Sequence, residues 1–163
     1  VRVRRGKNPL PRDFINHPLG GDILAECDIG VRGKRGLHAK LLIFKNRTAL
    51  RRFWWQALGA HHDLGRGCLG AVNGLSREIV DAHGRSTMQV DPRYFCLIGL
   101  VHGFLSMEII CHEAGHAGFA YAKRRRGDHW VDALALDEEN VCYPAGRIAA
   151  AINRFVHRKG LYK

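Results

Sequence analysis

Residues 105–126 read LSMEIICHEAGHAGFAYAKRRR, and the reading of this stretch decides the architecture. Ser106 stands where a helix N-cap belongs, and the cations at 123–126 suit the negative end of a helix dipole. Between them the run spells one long helix, broken by Gly127-Asp128. Inside it, His112-Glu113-Ala114-Gly115-His116 sets two imidazoles four residues apart. Side chains at i and i+4 share a helix face, so both rings reach one point beside the helix. Ile109, Ile110, Ala114 and Ala117 surround them with apolar neighbours. Two His and a Glu on such a helix are costly to bury without a role.

Working outward, residues 94–102 (YFCLIGLVH) predict a buried or edge strand just before the helix. After it, a second helix is expected from near Asp137 to about Lys159-Gly160, with Val141, Ala145, Ile148, Ile152 and Phe155 on one face. Pro144 falls in its first two turns, where proline is tolerated. Nearer the N-terminus, residues 22–31 and 37–45 read as two strands of a hairpin joined by the basic turn RGKRG at 32–36. Leu50, Phe53, Trp54, Ala57 and Leu58 then mark a helix, with Thr48 as the expected N-cap and Gly59 as the stop. Residues 60–92 predict a long loop with a short strand or helix in 69–80. Residues 1–20, basic and carrying Pro9, Pro11 and Pro18, predict an extended arm, and 21–163 a single domain. The expected class is α+β, a short antiparallel or mixed sheet packed on the motif helix and a C-terminal helix.

The chain has 163 residues, and its 46% hydrophobic and 25% charged shares exclude a wholly disordered polypeptide. Twenty-six Lys+Arg against fifteen Asp+Glu leave a net charge of +11, which favours weak, salt-sensitive attraction to nucleic acid without specifying a fold. Cys27, Cys68, Cys96, Cys111 and Cys142 contain no CxxC pair and are odd in number. They read as reduced, mostly buried thiols in a cytoplasmic protein. No apolar segment follows the charged N-terminus, so no secretory signal is expected. The longest apolar stretch, 94–111, includes His102, Gly103, Ser106 and Glu108, which a bilayer span would not tolerate.

The HExxH pattern carries a specific chemistry. His112 and His116 can bind one Zn²⁺, and Glu113 can take a proton from a zinc-activated water. A catalytic zinc needs a third protein ligand and an open position. A histidine-based extension would need Gly at 119 and His at 122, where this chain has Phe119 and Ala122, which excludes a metzincin. The acids at the start of the last helix offer the alternative. Glu138 leads into the face of Val141, Ala145 and Ile148, while Glu139 is turned about 100° away. A first turn displaced by Pro144 would reverse that order.

With a strand before the motif helix and an acidic helix start after it, residues 22–158 resemble a small gluzincin-type zincin metallopeptidase. The layout is similar to minimal zincins of bacterial, phage and mobile-element proteins. The resemblance implies a zincin-like domain holding one Zn²⁺ through His112, His116 and Glu138 or Glu139, with Glu113 as the general base of peptide-bond hydrolysis. It further implies an oxyanion-stabilising Tyr or His, for which Tyr143, His129 and Tyr121 are candidates. Gly118 stands where the family carries a hydrophobic residue. The strand at 94–102 would then offer an edge to an extended peptide or protein substrate.

Other features weigh less. His61-His62-Asp63 reads as a solvated loop, Cys111 as a buried helix residue, and Trp54 as core with Trp55 at its margin. The alternative to an enzyme is a catalytically silent, basic, zincin-shaped binding module with a structural metal. Retention of Glu113 discriminates against it, because such a module has no use for the base.

Overall fold

A computed structural model describes residues 20–31, 37–58, 64–65, 67–126 and 139–162. The expectations for the arm at 1–19, the turn at 32–36, Gly59, His61-His62-Asp63, the helix break at 127–128, His129, Asp137 and Glu138 lie outside them.

The class is α+β. Strands β1 (Ile23–Gly30) and β2 (His38–Phe44) form the expected antiparallel hairpin. Helix α1 (Arg47–Leu58) follows, then β3 (Gly70–Gly74), β4 (Ser76–Val80), β5 (Ser86–Val90) and β6 (Tyr94–Val101). Helices α2 (Met107–Arg126) and α3 (Glu139–Arg158) complete the chain. The four-stranded sheet runs β1-β2-β6-β3, with β2 and β6 parallel and the other pairs antiparallel.

Residues 60–92 thus hold three strands: β3 and β4 fall in 69–80, where one short strand or helix was expected, and β5 lies in the part expected to be loop. Strands β3 and β4 continue one another opposite β6 and β5, forming one long bent hairpin. Leu75 donates its NH to Phe95 and accepts from Asp91, so residues 92–94 are looped out between the two bonds. The Asp91 carboxylate holds that loop by accepting from the NH groups of Arg93 (2.8 Å) and Tyr94 (2.7 Å). The short apolar runs hid these strands, and β4 and β5 pair only with each other among the described residues.

Each face of the sheet buries its own core. Ala39, Leu41 and Ile43 of β2, with Cys96, Ile98 and Leu100 of β6, pack under Ile110, Ala114, Ala117 and Tyr121 of α2 and Ile148, Ile152 and Phe155 of α3. Leu42, Phe44, Leu97 and Val101 point the other way and meet Leu50, Phe53 and Trp54 of α1. Trp54 lies so close to β6 that a Cβ on Gly99 would stand 2.6 Å from its ring. Trp55 is exposed, as its place off the apolar stripe requires.

The caps show how the sequence punctuates these helices. Ser106 Oγ accepts from Ile109 NH at 3.2 Å, the expected cap of α2. At α1 the cap is Asn46, whose Oδ1 accepts from Ala49 NH at 2.9 Å; Thr48 lies inside the helix. Either side chain suits the role, and the strand end at Phe44 decides between them. Helix α3 stops at Gly160 (φ 63°), where Leu161 NH bonds to Val156 O and Gly160 NH to His157 O in a Schellman closure. No described helix is long and apolar enough to cross a membrane.

Candidate metal centre

Helix α2 lies on the sheet through small residues, Ala114 and Ala117, both fully buried. Its remaining faces are set by 100° steps. His112 and His116 point away from the sheet and are exposed, whereas Glu113 points toward the edge strand β3 and is 6% exposed. The two Nε2 atoms are 3.2 Å apart, with the rings nearly perpendicular at 83°. Two nitrogen ligands of one tetrahedral Zn²⁺, at about 2.0–2.1 Å each, stand about 3.3 Å apart. The donor pair therefore fits a shared metal.

Glu113 meets Gly70 of β3. A Cβ on residue 70 would lie 2.6 Å from Glu113 Cγ and 2.7 Å from Oε1. Burial pushes the Glu113 carboxyl above its ordinary range, and the neighbouring His112 opposes that rise. A carboxylate raised in this way is a better proton acceptor near neutral pH. Cys68, just ahead of β3, donates its thiol to Gly70 O. Burial raises the thiol, the carbonyl contact lowers it, and the Glu113 charge adds to the rise. Neither Cys68 nor Gly70 carries a signal in the sequence, because their place beside Glu113 depends on pairing of β3 with β6.

The edge belongs to β3, not to residues 94–102. Strand β6 lies between β2 and β3 and is buried at every position, so it has no free edge for a substrate. Leu69 O accepts from Val101 NH, and Ala71 and Asn73 continue that bonded register opposite Gly99 and Leu97. In an antiparallel pair the alternate residues then turn their NH and C=O groups outward. Gly70, Val72 and Gly74 do so on the side of β3 away from β6.

Of the two proposed third ligands, Glu139 opens α3 and is exposed, and Glu138 lies outside the described residues. Among the described residues no group of three or more His, Cys, Asp or Glu is gathered to hold a metal ion. What brings α3 to the motif helix is Gly118, two residues after His116. A Cβ there would stand 2.7 Å from Val141 O and 3.0 Å from Ala145 Cβ. This glycine thus seats the first turns of α3 on α2.

Tyr143, 67% exposed, lines a cavity of about 380 Å³ with Tyr121, Arg125, Glu139 and Arg147. His112, Glu113 and His116 are not among its described lining. Tyr121 stacks edge-on to Phe95 at 5.2 Å, and its buried hydroxyl has no hydrogen-bond partner among the described residues. The structure brings Tyr121, Tyr143 and Glu139 together, and leaves the histidine pair with Glu113.

The thiols are less buried than their composition suggests. Only Cys96 is buried; Cys27 and Cys68 are half-buried, and Cys111 and Cys142 are exposed. Cys111 falls on the open flank of α2, where its apolar neighbours in sequence turn to other faces. Arg124 in the basic run is also engaged, donating to Asp91 O at 2.8 Å and so tying the end of α2 to the hairpin.

No protein-family model, curated protein or solved structure significantly matches this chain.

Proposed function

We propose that this protein is a zinc-dependent metallopeptidase of the gluzincin type, built on a zincin-like arrangement. One observation carries the reading: two convergent imidazole nitrogens 3.2 Å apart beside a buried carboxylate with a raised pKa. When bound, Zn²⁺ supplies positive charge that acidifies a water and polarises a carbonyl. His112 and His116 would hold it, with Glu138 as the third ligand and Glu139 as the alternative. Glu113 accepts the proton of the attacking water and returns it to the leaving amine. The outward NH of Gly70, whose carbonyl is taken by Cys68, and the outward groups of Val72 and Gly74 offer an extended peptide main-chain bonds beside that carboxylate. Tyr143, which lines a cavity with Tyr121 and Glu139, is the candidate oxyanion donor.

Metal analysis with a peptide-library digest tests this reading. The wild type is expected to bind about one zinc per chain and to cleave peptides. His112→Ala and His116→Ala should lose the metal, while Glu113→Gln keeps it and loses turnover. Full occupancy in either histidine variant would overturn the assignment. Zinc without turnover in the wild type would instead leave the catalytically silent module.

A further inference from the structure

Many basic residues of the described structure are engaged by other groups. Lys40, Lys45, Arg52, Arg85 and Arg93 each pair with a carboxylate, and Arg124 bonds to a backbone carbonyl. Arg147, Arg154 and Arg158 are exposed, and among the described residues no carboxylate pairs with any of them. All three stand on α3, seven and four residues apart. At 100° per residue they share a sector about 40° wide, and at 1.5 Å per residue they span about 16 Å. Gly146, Ala150 and Ala151 flank them with small side chains, leaving a flat basic ridge. Arg125 adds a fourth guanidinium across the cavity it shares with Arg147.

We infer that this face of α3 is a nucleic-acid-binding surface, with Arg147, Arg154 and Arg158 contacting successive phosphates of one backbone. Charge complementarity selects the partner. A rod of regularly spaced negative charge matches a straight row of guanidinium groups that no carboxylate pairs among the described residues, and small flanking residues let it approach the helix. An anionic membrane fits less well, because a membrane-surface helix presents large apolar side chains to the bilayer. Ile148, Ile152 and Phe155 of α3 are already buried against the sheet, which leaves Tyr143 as the exposed aromatic of this helix among the described residues. Val141 and Ala145, which meet Gly118, lie about 140° round the helix from the ridge, and the Arg147 end borders the cavity shared with Tyr121 and Arg125 of α2, whose described lining does not include Glu113. The ridge is thus separate from Glu113, and it stands whether or not the peptidase reading holds.

Binding of a labelled duplex of about 20 base pairs, followed by anisotropy over a salt series, tests the surface. The wild type should bind at low salt. The triple variant R147Q/R154Q/R158Q should bind about tenfold or more weakly and lower the slope of log K on log salt by about 2 to 3. The single variant R154Q should lower it by about 1, which guards against loss of fold in the triple variant. Removing the same charge from the arm in R2Q/R4Q/R5Q should have a smaller effect, and Glu113→Gln should have none. An unchanged slope in the triple variant, or an equal loss in the arm variant, would overturn the assignment. So would absence of duplex binding, or loss of binding to phosphatidylserine vesicles with duplex binding intact.

Discussion

The side chain of Glu113 fills the space that a β-carbon on Gly70 would occupy, so the edge strand and the motif helix meet at a carboxylate. The contact explains two properties at once. It buries Glu113, which raises its pKa, and it sets the carboxylate beside the outward backbone of β3. Glycine is required here by close approach, not by backbone conformation.

Gly70→Ala should therefore act on chemistry more than on folding. The atoms in its way belong to a flexible side chain, which can swing aside at small cost in stability. A displacement of about 1 Å in a catalytic group costs roughly 10²-fold in rate. Peptidase assays should show that loss with zinc content unchanged. An equally active Gly70→Ala protein would show that Glu113 is not held in place by β3.

Gly118→Val should act on folding. Its nearest obstacle is the Val141 carbonyl at 2.7 Å, backbone that cannot rotate away. Forcing α2 and α3 apart should cost about 1–3 kcal/mol, read as a lower urea midpoint with an unchanged slope. Zinc affinity should fall with it, because the start of α3 moves away from His116. A variant as stable as the wild type would refute the seating role.

Glu138→Gln should weaken zinc binding strongly, and Glu139→Gln should change it little. Sequence spacing carries that expectation: it sets 138 three residues before Val141, whereas Glu139 is exposed in the first turn of α3. Competition with a chelator dye measures both. The opposite ranking would put Glu139 in the metal site.

Asp22 gives the stability a pH dependence. It is buried where β1 begins, and hydrogen bonding from Lys45 holds its carboxyl below the ordinary range, with Arg52 assisting against the cost of burial. A carboxylate whose folded pKa lies below the unfolded value stabilises the protein above the unfolded pKa of about 4. That contribution disappears as pH falls through the folded value. Asp22→Asn should thus be less stable than the wild type at neutral pH, and the gap should close below about pH 4. Urea midpoints across a pH series measure it; a gap independent of pH would assign the effect to packing.

Much of the candidate site is legible in the chain because it is local. His112, Glu113 and His116 need only a helix between Ser106 and Arg126 to take their relative positions, and the Ser106 cap and the basic run at its end mark that helix. The hairpin of β1 and β2 and the face of α3 built from Val141, Ile148, Ile152 and Phe155 are legible for the same reason. Composition alone put the charge at +11, but not its place.

Tertiary structure decided everything that joins distant segments. A run such as 94–101 is equally apolar at an edge or between two strands, and only the parallel pairing with β2 makes it internal. β3 carries glycine and asparagine, poor strand formers, and is a strand because β6 offers it a ladder. Gly70 against Glu113 and Gly118 against Val141 are close approaches whose need for glycine appears only once both partners are placed. The row formed by Arg147, Arg154 and Arg158 follows from helix geometry, but its lack of acidic partners among the described residues does not. That depends on which carboxylates the fold brings near, a property of packing that no local pattern encodes.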